Sequence, residues 1–334
     1  MRSGIIRLMS ASPHQLCVAP MMDWTDRHCR FFHRQINRQA LLYSEMVTTG
    51  AIVHGDRQRL LGFDPAEMPL ALQLGGSDPG ELSRAAAIGA DWGYNEINLN
   101  VGCPSDRVQK GRFGACLMKE PALVRDCLSA MRESVDVPVT IKTRIGVDEL
   151  DQEGYLRDFI ATVAESGIQT VIIHARKAWL SGLSPKQNRD IPPLDYQRVF
   201  RLAERFPDLT IVLNGGIIEV DAALEHLDKV HGVMLGRAAY QNPWVLAELG
   251  ERLGHNVARS RRQVVESMVE YAEDHLVRGG RLQQIARHML GLFHGQPGAR
   301  RWRQVLSQNI HLDGATPDLL LEACPEPVPS SDFC

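Results

Sequence analysis

One thiol stands out among the residues that could do chemistry. In the segment NLNVGCPSDRVQKGRFGACLMK (residues 98–119), Cys103 lies between a glycine and a proline, where a β-rich run gives way to a basic, glycine-containing stretch. Buried structural cysteines usually lie within apolar strands or helices. A thiol of ordinary acidity is mostly protonated at neutral pH, so this position suits a proton donor or acceptor beneath a loop that closes over substrate. The alternative is an inert cysteine that caps the strand.

The other β-rich runs also end in residues that can bind or react. Their ends are Met21–Asp23, Glu45, Gln73, Lys142–Arg144, His174–Arg176, Asn214–Gly216 and Gly236–Arg237. In the last two, glycines and Arg237 offer accessible backbone N–H groups and positive charge, which suit a phosphate. Lys142 and His174 are expected at the same place, and the paired methionines with Gln73 suit a flat, partly apolar ring with hydrogen-bonding edges. Flavin mononucleotide (FMN) meets that description better than a sugar phosphate does.

Eight such ends require eight strands. The β-rich runs begin at Gln15, Leu41, Pro69, Asn95, Val137, Thr170, Leu209 and Gly232, and helix-like stretches lie between them at 79–90, 121–134, 155–167 and 199–206. Near-continuously apolar strands that alternate with helices indicate a parallel sheet covered on both faces. Eight of them within about 236 residues predict an α/β fold, the (β/α)8 TIM barrel, whose reactive residues lie at the carboxyl ends of the strands. An open doubly wound sheet is the competitor, but no G-x-G-x-x-G motif follows the first run.

The strand pattern stops near residue 254, and the charge changes there as well. Residues 261–278, 281–294 and 298–310 are predicted to form amphipathic helices. Between residues 259 and 303 there are nine arginines, four acidic residues and no lysine, although the whole chain has a net charge of −3. We therefore divide the chain into an N-terminal extension (1–14), a catalytic barrel (15–254), a small basic helical domain (255–324) and a disordered tail (325–334).

The composition sets limits on the class of protein. Seven scattered cysteines without a C-x-x-C motif or a Cys/His pair at zinc spacing argue against a disulfide framework and predict no metal site. No apolar run is long enough for a signal peptide or a membrane span. We therefore expect a cytoplasmic protein that does not bind membranes.

Eight blocks of sequence, taken together, resemble those of tRNA-dihydrouridine synthases. They are VAPMMDWTDRHCRFF, YSEMV, LALQLGG, NLNVGCPS, IKTRIG, IHAR, LNGGI and GRAAYQNPW. The stretch MMDWTDRHCR is similar to that of the A subfamily, which acts on the neighbouring D-loop uridines 20 and 20a. The resemblance implies a barrel that reduces the uracil C5–C6 double bond in tRNA with FMN, which NADPH reduces again, and we expect a monomer.

The resemblance also implies roles for individual residues. Cys103 would protonate C5 of the uracil. The flavin ring would contact Pro20, Met21, Met22 and Gln73, and Lys142 and His174 would also contact the cofactor. Its phosphate would contact Asn214, Gly215, Gly216, Gly236 and Arg237. The tRNA would contact Asn100, Lys186, Arg189, Arg300 and Arg303.

Three other functions compete with this interpretation. An FMN barrel acting on a free pyrimidine, like the dihydroorotate dehydrogenases, would explain the barrel but not the arginine-rich helices. A phosphate-binding barrel isomerase would lack the flavin. A non-catalytic RNA-binding protein would not need reactive residues at every strand end. The sequence leaves open the choice between uridines 20 and 20a and between NADPH and NADH.

Overall fold

A computed structural model of the protein describes residues 12–326. Eight parallel strands follow one another around a closed barrel, and the eighth pairs with the first. The strands are β1 (Leu16–Val18), β2 (Leu41–Thr48), β3 (Leu70–Gly75), β4 (Glu96–Val101), β5 (Val139–Arg144), β6 (Thr170–His174), β7 (Thr210–Asn214) and β8 (Gly232–Leu235). Each run in which the sequence predicts a strand contains one, so the predicted (β/α)8 barrel is confirmed.

Helices connect the strands on the outside of the barrel. They are α1 (Arg27–Ile36), α2 (Thr49–His54), α3 (Arg57–Leu61), α4 (Pro79–Asp91), α5 (Asp106–Lys110), α6 (Pro121–Glu133), α7 (Glu153–Ala164), α8 (Gln187–Asp190), α9 (Tyr196–Arg205), α10 (Val220–Leu227), α11 (Arg237–Gln241) and α12 (Val245–Arg252), with short 3-10 helices at Pro65–Glu67 and Gly114–Lys119. The four stretches predicted to be helical are confirmed as α4, α6, α7 and α9. Aspartates cap the first turns of α1, α4 and α9 by accepting backbone N–H groups, as N-cap residues commonly do.

Alternation along the strands divides the buried side chains between two cores. On β4, Ile97, Leu99 and Val101 join the large core beneath the helices. A smaller apolar cluster fills the barrel interior and consists of Cys17, Ala19, Leu41, Tyr43, Ala71, Ile172, Val212 and Met234. Because successive side chains of a strand point to opposite faces, Glu96 and Asn98 lie on the inner face of β4. The barrel interior is therefore partly polar.

Helices follow the barrel, as the sequence predicts. They are α13 (Arg261–Val277), α14 (Leu282–Ala286), α15 (Ala299–Asn309) and α16 (Asp318–Ala323), which we call the helical region. Helix α13 packs along α1, where the rings of Phe31 and Tyr271 stack with centroids 3.9 Å apart. Trp302 of α15 is completely buried against Phe293.

One predicted helix is much shorter than expected. The sequence predicts a helix over residues 281–294, but only Leu282–Ala286 is helical. The rest of the segment forms turns, in which N–H groups donate to the carbonyl three residues earlier, as Leu292 does to Met289 at 3.0 Å. The carbonyl groups of Met289 and Leu292 also accept hydrogen bonds from the side chains of Trp302 and Arg261, both at 2.9 Å, which hold the turns in place.

The structure describes little of the terminal segments. The expected extension (1–14) is described from residue 12 and the expected disordered tail (325–334) as far as residue 326, so the remainder of both lies outside the described residues. His14 is buried, and its Nε2 lies 2.6 Å from Glu96 Oε2 at the amino-terminal end of the barrel, which we call the floor. Between residues 12 and 326, no helix is long and apolar enough to cross a membrane.

Candidate active site

A turn directly after β4 holds Cys103. The side-chain oxygen of Asn100 accepts hydrogen bonds from the backbone N–H groups of Gly102 and Cys103, at 3.1 and 3.0 Å. Arg144, at the end of β5, donates to the Gly102 carbonyl at 2.8 Å. The thiol is half-buried and lies 3.5 Å from the Ser105 hydroxyl. It is therefore fixed in position yet reachable, as a proton donor has to be.

The segment after Cys103 packs back over the turn. It is not the irregular loop that the sequence predicts, because it forms α5 and a 3-10 helix. The backbone N–H of Ala115 donates to the Cys103 carbonyl at 2.9 Å. Gly114 has a φ of +77°, and a Cβ there would lie 2.5 Å from that same carbonyl oxygen, so only glycine permits this approach. Gln109 donates to the Leu180 carbonyl at 2.7 Å and ties the segment to the one after β6.

Three amide side chains line the barrel beneath the turn. Gln73 Nε2 donates to Asn98 Oδ1, and Gln73 Oε1 accepts from Asn100 Nδ2, both at 2.8 Å. All three side chains are buried. An amide held in this way keeps one N–H and one lone pair for a ligand. Gln73 therefore connects the end of β3 to the turn that carries Cys103 and can still bind a ring edge.

Across the barrel mouth, β5 contributes an ammonium group. Lys142 Nζ donates to Asn214 Oδ1 at 2.9 Å, and Asn214 Nδ2 donates to the Met234 carbonyl at 2.7 Å. Desolvation and the charge of Arg144 lower the pKa of Lys142 to about 7, although Cys103 acts in the opposite direction. An anion bound beside this amine would favour its charged form.

Arg176 and the imidazole of His174 lie at the end of β6, on the side of the mouth that carries Lys142 and Arg144, which we call the cationic side. His174 Nδ1 and Arg176 Nε are buried and have no hydrogen-bond partner within residues 12–326. Burial and the charges of Arg144 and Lys142 hold the pKa of His174 well below its usual value. Gly215 lies against the ring, because a Cβ there would be 3.2 Å from His174 Nε2. Buried polar atoms without partners are rare and commonly mark a ligand site.

More basic residues stand at the rim beside β7 and β8. Arg237 Nη1 lies 2.8 Å from Asp190 Oδ1 in an exposed ion pair. Arg189, next to that carboxylate on α8, is exposed, and so is Lys186 just before the helix. The buried Asn188 fixes α8, since its side-chain nitrogen donates to three backbone carbonyls of the same segment. The structure thus brings these arginines and Lys186 to one rim.

The residues after β1 lie beside the end of β8. Met21 donates its backbone N–H to the Thr25 hydroxyl at 2.9 Å, and its sulfur would lie 4.0 Å from a Cβ on Gly236. Pro20 is half-buried. Met22, by contrast, is 56% exposed. Pro20 and Met21 therefore lie at the mouth, whereas the Met22 side chain is largely in solvent.

The helical region meets the barrel at the same rim. Trp24 stacks on Tyr240 with ring centroids 4.3 Å apart, and the Tyr240 hydroxyl lies 3.1 Å from His288 Nδ1. Asp26 pairs with Arg287 at 2.6 Å and with His288 at 3.1 Å. These contacts, which we call the rim junction, join the segment after β1, the helix after β8 and the helical region.

Charge at the rim junction follows from burial and pairing. Burial alone would raise the pKa of Asp26, but the hydrogen bond and charge of His288, with the backbone N–H of Cys29, lower it well below its usual range. Burial lowers the pKa of the nearby His28 to about 4 and that of His33 to about 3. At neutral pH the junction therefore combines an ionised carboxylate with neutral imidazoles on α1.

The helical region presents further arginines to solvent. Arg300 and Arg303 are exposed on α15, on either side of the buried Trp302. Their spacing of three residues places them on neighbouring positions of the helix surface. They belong to the helical region, whereas Lys186 and Arg189 belong to the mouth.

Sequence reasoning gave no role to several residues of this site. The sequence places Arg144 and Arg176 at strand ends, a signal for function, but no particular role was assigned to either. Glu96 and Thr140 precede the strand ends and carried no such signal.

Within residues 12–326, no group of three or more His, Cys, Asp or Glu side chains could hold a metal ion.

A closed (β/α)8 barrel with an accessible thiol facing a cluster of cations defines a class of barrel proteins suited to an anionic ligand. The model of the dihydrouridine synthase (Dus) family matches residues 17–328, and the chain belongs to that family. The resemblance found in the sequence is therefore confirmed.

Individual relatives agree with this membership. The chain is 54% identical over 312 residues to the tRNA-dihydrouridine(20/20a) synthase of Vibrio vulnificus, across 92% of this chain and 95% of that protein. It is 58% identical over 300 residues to the protein of the same name from Shewanella oneidensis, across 89% of each. The old yellow enzyme homologue from Zymomonas mobilis has a similar structure, with a TM-score of 0.53 and 11% identity over 73% of this chain and 90% of that chain. This last likeness concerns the barrel fold alone.

Proposed function

We propose that this protein is a tRNA-dihydrouridine synthase that reduces the C5–C6 double bond of uridines 20 and 20a in the tRNA D-loop. Family membership and the similarity to 20/20a synthases over about nine-tenths of the chain support the substrate. The observation that carries the chemistry is the mouth, where the accessible Cys103 thiol faces the basic side chains of Lys142 and Arg176 and the neutral imidazole of His174.

The cationic side fits FMN. His174 Nδ1 and Arg176 Nε are buried atoms that a ring edge or a phosphate would satisfy, and Gly215 leaves open the space that a Cβ would fill. We assign the ring to Pro20, Met21, Met22, Gln73, Lys142 and His174, and the phosphate to Asn214, Gly215, Gly216, Gly236 and Arg237. When bound, FMN supplies hydride to C6 of the uracil, with NADPH as the source of electrons.

Cys103 supplies the proton. Reduction at C6 leaves negative charge on the uracil, which an acid quenches at C5. Asn100 and Arg144 hold the turn of the thiol at the strand end. The segment of residues 105–119 packs over that turn and limits the access of water, so that the proton goes to the base.

Exposed cations hold the RNA. A uridine within a folded tRNA has to leave its stack to reach the mouth. Lys186 and Arg189 stand at the rim, where they can bind phosphates on either side of that base, and Asn100 keeps one N–H for the base itself. Arg300 and Arg303 of the helical region extend the contact. We assign catalysis to residues 15–254 and tRNA binding to residues 255–324, in a monomer that works in the cytoplasm.

Two measurements test the proposal. Mass spectrometry of the cofactor released by heat should find FMN, and finding FAD or no flavin would contradict the assignment of the mouth. Dihydrouridine mapped by position in tRNA from cells that lack this chain should be absent at positions 20 and 20a and normal elsewhere. Unchanged dihydrouridine at both positions would contradict the substrate.

A further inference from the structure

A row of polar side chains runs inside the barrel from the Cys103 turn to the floor. Glu96, Asn98 and Asn100 occupy alternate positions of β4 and are buried. Branched apolar side chains usually fill the interior of such barrels, and buried polar groups destabilise a fold unless they are hydrogen-bonded. The hydrogen bonds of this row therefore determine whether it stabilises the fold and orients the Cys103 turn.

Glu96 anchors the row at the floor. Its carboxylate accepts from the Tyr43 hydroxyl at 2.6 Å and the Thr140 hydroxyl at 2.7 Å, and it pairs with His14 Nε2 at 2.6 Å. Burial and the charge of Glu96 raise the pKa of Tyr43 well above its usual value, so that hydroxyl remains a donor. Thr140 gives its only hydrogen to Glu96 and so can only accept from Asn98 Nδ2, at 2.8 Å.

The row keeps one direction up to the mouth. Asn98 Oδ1 accepts from Gln73, Gln73 Oε1 accepts from Asn100, and Asn100 Oδ1 accepts from the backbone N–H groups of Gly102 and Cys103. Every donor points toward the floor. A carboxylate that only accepts at one end, and backbone N–H groups that only donate at the other, leave each amide a single orientation.

We infer that Glu96, acting through Thr140 and Asn98, is a positioning residue for Gln73 and Cys103. If the floor no longer accepts a hydrogen bond, Asn98 Nδ2 loses its acceptor, and only the backbone N–H groups of Gly102 and Cys103 still favour one orientation of the amides. Reversed arrangements then become populated, in which Asn100 turns its NH2 group toward backbone N–H groups that need an acceptor. In those arrangements the Cys103 turn keeps the hydrogen bond from Arg144 but loses both of those that Asn100 accepts. The inference rests on the proposed function, in which the thiol gives a proton to the base and a displacement of about 1 Å can slow a reaction about 10²-fold.

Thr140→Val and Thr140→Ser form a matched pair for the test. Valine keeps the shape of threonine without a hydroxyl, whereas serine keeps the hydroxyl. Rapid mixing separates reduction of the flavin by NADPH from its reoxidation by tRNA. T140V should slow reoxidation by tRNA roughly tenfold or more, and it should slow reduction by NADPH much less, because the Cys103 thiol acts only in reoxidation. T140S should restore reoxidation, a rescue that loss of bulk packing would not predict.

Alkylation by iodoacetamide gives a second readout that needs no tRNA. In T140V the loosened turn should expose Cys103, so that its rate of modification rises roughly fivefold, while that of Cys116 stays unchanged. Glu96→Leu, which cannot accept a hydrogen bond from Thr140, should show the same rise, and it replaces T140V if the valine variant does not fold. Wild-type rates of Cys103 alkylation and of flavin reoxidation in the folded variants would overturn the inference.

Failure of the proposed function and failure of the inference about Glu96 give different experimental results. If tRNA does not reoxidise the reduced flavin of the wild-type protein, the proposed function is wrong. The alkylation rates of Cys103 in T140V and T140S would still differ if the row holds the turn, and would still agree if it does not.

Discussion

The two sides of the barrel mouth satisfy their polar groups in different ways. On the side of β3 and β4, Gln73, Asn98 and Asn100 bond to one another and to the Cys103 turn, and none of them has a buried atom without a partner. On the side of β5 to β8, His174 and Arg176 each keep such an atom.

This difference separates two tasks. A fully hydrogen-bonded cluster in a medium of low dielectric constant is rigid, and it holds its shape without a ligand. A cluster of cations with unpartnered atoms is less stable alone and gains most from an anion. In the proposed function, the amide side would hold the proton donor in position, and the cationic side would bind the cofactor.

Replacement of the thiol tests the amide side and should have the largest effect. Cys103→Ala should slow reoxidation of the reduced flavin by tRNA roughly 10²-fold or more, the usual contribution of a positioned acid. FMN content and reduction by NADPH should not change. Stopped-flow traces measure both half-reactions, with Cys116→Ala in the same segment as control. Equal slowing of both half-reactions would mean that Cys103 is only structural.

Removal of an ammonium group tests the cationic side. Lys142→Met should weaken FMN binding roughly tenfold or more, because a hydrogen bond to a charged group is lost. The exposed Lys110→Met on α5 is the control. Titration of flavin-free protein with FMN, followed by fluorescence, gives both affinities. Equal affinities in wild type and in both variants would mean that Lys142 is not part of the cofactor site.

The pH dependence of stability sharpens the contrast between the two sides. The pKa of Lys142 is lowered from 10.5 to about 7, so between these values the unfolded lysine holds a proton that the folded one does not. The contribution of Lys142 to the stability of flavin-free protein should be most favourable above pH 10.5 and fall as the pH falls toward 7. The slope due to Lys142 is at most roughly 1.4 kcal/mol per pH unit, less what solvent screens at the half-buried amine. Urea unfolding at several pH values should show a flatter curve for Lys142→Met, and an unflattened curve would contradict the lowered pKa.

Substitution of the exposed arginines of the helical region should leave both sides of the mouth unchanged. Arg300→Ala with Arg303→Ala should weaken tRNA binding severalfold at moderate salt and flatten its salt dependence by a slope of roughly 0.7 to 0.9 per lost phosphate contact. FMN content and oxidation of NADPH without tRNA should stay at wild-type values. Arg205→Ala on α9 is the control. An unchanged salt dependence of tRNA binding with full activity would mean that both arginines are ordinary solvated surface residues.

The sequence predicts most of the mouth because strand order alone brings it together. Gln73, Lys142, His174 and Asn214 each lie at the end of a different apolar run, and the barrel closes those ends into one ring. No knowledge of the distances between strands is needed for that step.

What the sequence does not predict depends on register and on long-range pairing. Asn98 faces Thr140 because of the register between β4 and β5, which a single sequence does not encode in any visible pattern. The ion pair of Arg287 with Asp26 joins residues that are 261 positions apart. The segment expected to be a helix at 281–294 ends in turns whose carbonyl groups accept from the side chains of Trp302 and Arg261, distant contacts that local periodicity does not reveal.

The ion pair between Arg237 and Asp190 has a consequence for the affinity of the proposed phosphate site. The Asp190 carboxylate competes with phosphate for Arg237, because a phosphate that binds Arg237 has to displace this carboxylate or share the guanidinium with it. An exposed pair of this kind contributes at most about 1 kcal/mol, so the competition lowers affinity by no more than about fivefold. The net gain from Arg237 is thus a difference between two ion pairs, and neutralising Asp190 would tighten the hold on a phosphate by the same small factor.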